Sequence, residues 1–228
     1  MMRMITALQK ESQAAHSSHL DLQRTLQRVF RRAELPLRYS SGFNPHPLMS
    51  FATALATGHT SDGEWFEVEL EQLLKTEEFL ARVNAQMPNG MSLQAAFPAS
   101  EGMPSLAKLL RAAGYRIALY TDTAVPLSQA EEALAALLGK EEILVSKKTK
   151  GGEKLVDIRP SLLAASLLGA DENGMTLSVT GALTAAGGLR AELLAHALLA
   201  QLGWEGWTKV HRTSLYFSDF PPLPLANT

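Results

Sequence analysis

The chain has 228 residues, 46% of them hydrophobic, no cysteine, and a formal net charge of −2. It is long enough to bury a core in one large domain or in two of about 100 residues. The lack of cysteine excludes disulfides, thiolate metal sites and an iron–sulfur cluster held by this chain alone. The near-neutral balance gives no global attraction to nucleic acid, so any RNA contact has to rest on locally clustered charge. The opening Met-Met-Arg-Met-Ile lacks a long apolar run with a cleavage site, and nowhere do about 18 apolar residues run together, so the expected setting is cytoplasmic, with no membrane contact.

Met2 to Lys10 reads as a strand. Ser18 with Asp21 three residues on marks a helix start, and the helix is expected to run to about Ala33, with Leu22, Leu26, Val29, Phe30 and Ala33 on one stripe. Pro36 ends it, and Gly42 to Pro47 turns the chain. Leu48 to Ala56 is extended. Trp65 to Glu71 alternates, placing Phe66, Val68 and Leu70 on one side and Glu67, Glu69 and Glu71 on a half-exposed acidic face. Thr76 is expected to cap a second helix, and Met91 to Phe97 closes this half as a strand. The second half repeats the order: a strand over Tyr115 to Thr121, a helix capped by Ser128, extended segments at Ile143 to Ser146 and Leu155 to Ile158, a short extra helix over Ser161 to Leu168, a strand at Met175 to Thr180, a buried helix from Leu189 to Leu202 and a last strand at Lys209 to Phe217. The pattern predicts an α+β protein of two consecutive ferredoxin-like (βαββαβ) domains with antiparallel sheets, over residues 1–99 and 104–220, with 221–228 as a tail. Proline and glycine between Pro98 and Pro104 mark the boundary.

Two segments stand out as carriers of chemistry. Arg24, Arg28, Arg31, Arg32 and Arg38 gather five guanidinium groups within a short span, a spacing suited to phosphates about one helical turn apart. The competing reading is a solvated face paired with the acidic strand. His46 stands between Pro45 and Pro47, beside Asn44, in a turn that holds the imidazole in one direction, where it can act as acid, base or hydrogen-bond partner, or simply cap the turn. It is the one candidate for a catalytic role. His16 and His19 with Asp21 have metal-like spacing but no third defined ligand, and helix capping by Ser18 and Asp21 accounts for them, so no metal is expected. His59 completes such a site only if the fold brings it near. The Lys147 to Lys154 turn and the Gly187-Gly188 segment are weaker anion-binding candidates.

His19-Leu20-Asp21-Leu22, Phe30-Arg31-Arg32-Ala33, Tyr39-Ser40-Ser41-Gly42-Phe43-Asn44-Pro45-His46-Pro47, Ser50-Phe51-Ala52 and Ser61-Asp62-Gly63-Glu64 together resemble the radical SAM-associated protein family, a domain of unknown function (DUF2344). The likeness is strongest from Met2 to Leu70 and looser through Val156 to Pro160 and His211 to Thr213. It implies a non-catalytic accessory or substrate-binding partner of a radical SAM protein, acting on RNA or a ribosome-related substrate. The iron–sulfur cluster and S-adenosylmethionine would sit on that partner, with no cofactor in this chain. Arg24, Arg28, Arg31, Arg32, Arg38, Asn44, His46, His19 and Asp21 are the expected binding residues. The alternative is a stand-alone, metal-free RNA-processing or hydrolytic enzyme using His46 and the arginine cluster.

Overall fold

A strand with apolar residues on both faces has to be covered on both sides. Met2–Lys10 (β1) is such a strand, with Met4, Ile5, Ala7 and Leu8 all buried. The computed structural model describes residues 2–122, 124, 126–149, 151–184 and 187–218. The protein is α+β with mainly antiparallel sheet, and it divides into two compact units. The first holds the chain through Arg111 and takes it up again from Ser214, and the second is Ala112–Thr213. No helix among the described residues is long and apolar enough to cross a membrane.

In the first unit β1 is followed by helix α1 (His19–Arg32), a short strand β2 (Met49–Phe51), strand β3 (Thr60–Leu70), helix α2 (Thr76–Asn84), strand β4 (Met91–Pro98) and a single turn α3 (Leu106–Leu109). β1 pairs antiparallel with both β3 and β4, so that Ile5 lies opposite Glu67 on one side and Phe97 on the other, and β2 pairs with β3. The order is therefore β4-β1-β3-β2. Leu22, Leu26, Val29 and Phe30 of α1 and Phe79 and Val83 of α2 pack with Met4, Leu8, Phe66 and Val68 into one core.

The expected start of α1 is present as a reciprocal capping box between Ser18 and Asp21. Its end is set by Glu34, whose φ of 50° turns the chain left-handed. Arg82 of α2 then donates from Nε to the Ala33 carbonyl at 2.9 Å and from its terminal nitrogen to the Glu34 carbonyl, closing α1 from outside. α2 is capped one position earlier than expected, by Lys75, with no side-chain hydrogen bond.

The acidic face of β3 is half-exposed as expected at Glu69 and Glu71 but not at Glu67. Glu67 is buried, ion-paired with Arg3 at 2.5 Å, and accepts the Leu106 backbone N–H at 2.6 Å. The alternation of β3 was legible, but the α3 turn also covers its polar side. Glu69, less buried, meets Arg38 at 3.4 Å.

The second unit contains strand β5 (Leu110–Thr121), helix α4 (Leu127–Leu138), the hairpin β6 (Leu144–Thr149) and β7 (Gly152–Asp157), strands β8 (Leu162–Asp171) and β9 (Gly174–Thr184), the two-residue β10 (Gly187–Gly188), helix α5 (Ala191–Leu202) and strand β11 (Gly206–Phe217). The main sheet runs β8-β9-β5-β11, while β6 and β7 pair only with one another. Two expectations are corrected here. Ser161 to Leu168 is not a helix: Leu162 onward is a strand, because a tight turn closing Asp171 onto Gly174 folds it back along β9. Gly174 has φ +144°, and a Cβ there would lie 1.9 Å from the Leu119 carbonyl oxygen, so only glycine fits. Ser128 does not cap α4, which begins at Leu127 after Pro126.

Candidate functional site

The first unit gathers the expected site residues in two places. One is the turn after α1. An isolated bridge joins Tyr39 to Pro47, and Ser40 N–H donates to the His46 carbonyl at 2.9 Å, so the segment closes as a loop with Gly42 at φ +122°. The Ser40 hydroxyl accepts the His46 backbone N–H at 3.2 Å and lies 3.0 Å from Nδ1 of the ring. One hydroxyl satisfies both groups when Nδ1 accepts its proton and Nε2, carrying the ring hydrogen, faces outward. The imidazole is thus held in one direction as expected, by a serine that sequence reasoning did not assign that task. Asn44 and His46 are exposed, and Phe43 at the tip is fully exposed.

The arginines sort into two groups. Arg24 lies 3.9 Å from Asp21 on an open surface, Arg32 donates to the Gln86 carbonyl at 3.2 Å, and Arg38 meets Glu69. Arg28 and Arg31 are exposed, and their side chains have no hydrogen bond or ion pair among the described residues. Pairing with the acidic strand therefore accounts for Arg38 alone.

The second place is the start of α1, where sequence reasoning missed the central residues. The β1–β3 register breaks between Leu8 and Lys10, and beyond the break Lys10 is 1% exposed, its ammonium donating to the Ala15 and Ser17 carbonyls at 3.0 Å each. Glu64, also 1% exposed, supplies the negative field. Burial pushes the Lys10 ammonium below the usual lysine range, while Glu64 pulls it back. His19 sits edge-on to Phe51 at 5.0 Å, and burial likewise lowers its pKa against the pull of Glu64. Asp21 is held below the ordinary carboxylate value first by the Ser18 hydroxyl at 2.6 Å, then by the Ser18 backbone N–H. The signal for Lys10 was a cation closing an otherwise largely apolar strand. Its carbonyl partners come from an irregular loop that no periodicity reveals.

Among the described residues no set of three His, Asp or Glu side chains is grouped to hold a metal ion. His16 is exposed, and Asp21 is occupied by its capping box. The buried cluster therefore acts as an anchor: Lys10 ties down the β1–α1 loop, and that loop's Ala15 carbonyl accepts the Gly58 N–H at 2.9 Å.

No curated protein matches the chain in sequence. Among solved structures, it is similar to a chain in the crystal structure of a Cbf5-Nop10-Gar1 complex, at a TM-score of 0.57 and 11% identity, covering 95% of this chain and 50% of that one. It is also similar to a chain in an H/ACA RNP bound to a substrate RNA containing 2'-deoxyuridine, at a TM-score of 0.54 and 11% identity, covering 95% and 49%. The chain spans about half the length of these neighbours, and at such identity the likeness shows the fold alone. A family model described as an uncharacterized protein conserved in bacteria (DUF2344) matches residues 3–189, most of the chain, and the protein belongs to that family.

Proposed function

We propose that this protein is a non-catalytic accessory factor that presents RNA, or a ribosome-related substrate, to a radical SAM partner, which carries the cluster and S-adenosylmethionine. The observation that carries this reading is the outer stripe of α1, where Arg28 and Arg31 stand exposed and uncompensated among the described residues, one turn apart and next to Arg24. Guanidinium groups so placed match phosphate spacing, and a chain of net charge −2 gains little from them otherwise. The Phe43 tip, with Asn44 and the exposed imidazole of His46 held by Ser40, adds a feature for recognition. Support of a coarser kind comes from one structural neighbour, an H/ACA RNP bound to a substrate RNA.

The strand orders β4-β1-β3-β2 and β11-β5-β9-β8 are the reason to read each unit as ferredoxin-like, the β6–β7 hairpin being an insertion in the second. The test is RNA binding by the full chain across a salt series. Affinity should fall steeply with added salt, and Arg28→Glu with Arg31→Glu should weaken binding and flatten the slope by about one unit per lost contact. Binding indifferent to salt and to both changes would remove the reading, and failure of the radical SAM protein to co-purify would remove the partner.

A further inference from the structure

In the second unit, alternation along the sheet separates two faces. Tyr115, Ile117 and Leu119 of β5, Met175, Leu177 and Val179 of β9, and Val210 and Arg212 of β11 are buried. The opposite face carries Arg116, Ala118 and Tyr120 on β5, Thr176 and Ser178 beside them on β9, and Trp207 and Lys209 on β11. This second face stays open. Trp207 is 55% exposed, yet its ring stacks on Tyr120 at 4.0 Å between centroids with 13° between planes. The Lys209 ammonium lies 5.3 Å from the Trp207 centroid and 5.4 Å from that of Tyr120. Arg116 and Lys209 are both exposed, with no ion pair among the described residues.

An aromatic pair laid on an open sheet face with cations around it presents a flat π-surface and positive charge side by side. Beside Tyr120 lies a hollow of about 580 Å³ lined by Ala118, Gly169, Asp171, Asn173 and Thr176. Leu168 and Met175 also line it, and the Asp171 carboxylate, one oxygen of which accepts the Asn173 backbone N–H at 2.8 Å, lies there with the Asn173 amide.

From this we infer that the open face of the second unit is a stacking platform for single-stranded RNA. One base lies on the Trp207–Tyr120 pair, phosphates meet Lys209 and Arg116, and the hollow admits a neighbouring base whose N–H edge suits the acceptors of Asp171 and Asn173. The chemistry selects this occupant. A base offers a flat π-face to the stack and its phosphate offers charge to the cations, a combination that an apolar protein segment lacks. The inference rests on the proposed RNA function but uses different residues from the α1 stripe, so the two can fail separately.

The test measures binding of the full chain to labelled oligouridylate, oligoadenylate and an abasic ribose-phosphate oligomer of equal length at low salt. Trp207→Ala is expected to lower affinity for the base-bearing oligomers about tenfold and to leave abasic binding almost unchanged, while Trp207→Phe retains most of the affinity. Lys209→Glu should weaken all three and reduce the salt slope by about one. A circular dichroism spectrum identical to that of the parent excludes misfolding, and if Trp207→Ala fails it, Trp207→Phe and Lys209→Glu carry the test. If RNA binds but neither Trp207→Ala nor Lys209→Glu changes it, or the abasic oligomer binds equally well, the platform is wrong and the α1 reading stands. If no oligomer binds the parent, both fall. If an unrelated protein partner instead protects Trp207 from quenching by acrylamide while RNA does not, the face is a protein-docking surface and the platform is overturned.

Discussion

The two units wind their main strands in the same order yet treat charge on the second face of the sheet in opposite ways. In the first, Glu67, on the opposite side of β3 from Phe66 and Val68, is nearly inaccessible and held by Arg3 and the Leu106 N–H. In the second, Arg116 and Lys209 lie exposed on that face beside an exposed tryptophan. The difference follows from what covers the second face of each sheet. Once α3 lies over that side of β3, any carboxylate there must be paired or it destabilises the fold. An uncovered face imposes no such condition and is free to be used for binding. Shared winding therefore sets where strands go and leaves the chemistry of each face to the segments that cover it.

The largest effect that would break this contrast is expected at Glu67. Glu67→Ala strands the half-buried Arg3 guanidinium and the Leu106 N–H, and chemical denaturation should show a loss of about 3 kcal/mol or more. The double change Arg3→Met with Glu67→Leu should recover most of it, and a double variant as unstable as the single one would show that the pair is not the cause. Next comes the α1 start, where Ser18→Ala removes the cap and should cost about 1 kcal/mol.

A smaller effect depends on pH. Because burial lowers the His19 pKa, the folded state binds fewer protons there than the unfolded chain. The stability this group contributes is fully present above its unfolded value near 6.5 and is lost as pH falls through the lower folded value. His19→Gln should flatten the fall of the melting temperature with acidification below pH 6.5, and an unchanged profile would place the titrating group elsewhere. Smaller still, Trp207→Ala should cost about 1 kcal/mol through the lost stack on Tyr120, and Arg28→Ala, on an open helix face, should alter stability by no more than about 0.5 kcal/mol. A large loss at either would mean that the second-face contrast is misdrawn.

What was legible in the sequence follows the physics of local signals. The capping box at Ser18 and Asp21 and the core stripe of α1 depend on neighbouring residues alone, and both appear as read. Leu162 to Asp171 failed for the opposite reason. Its leucine and alanine content favours helix, but pairing along β9, imposed by the Asp171–Gly174 turn, overrides propensity. Burial of Glu67 was invisible because its partners, Arg3 and the Leu106 N–H, lie far off in the chain. The Tyr120–Trp207 stack was missed likewise, joining residues that only the sheet brings together.

The Arg82 side chain gives the first unit a property that no single helix has. By donating to the Ala33 and Glu34 carbonyls, it makes the final turn of α1 depend on α2 being in place. Fraying of one helix releases hydrogen-bond partners in the other, so the two should open as a single cooperative unit in amide exchange. Arg31 and Arg32, in the last turn of α1, then hold their helical positions most firmly while α2 is folded, so a helix that carries none of the stripe helps to set where it ends.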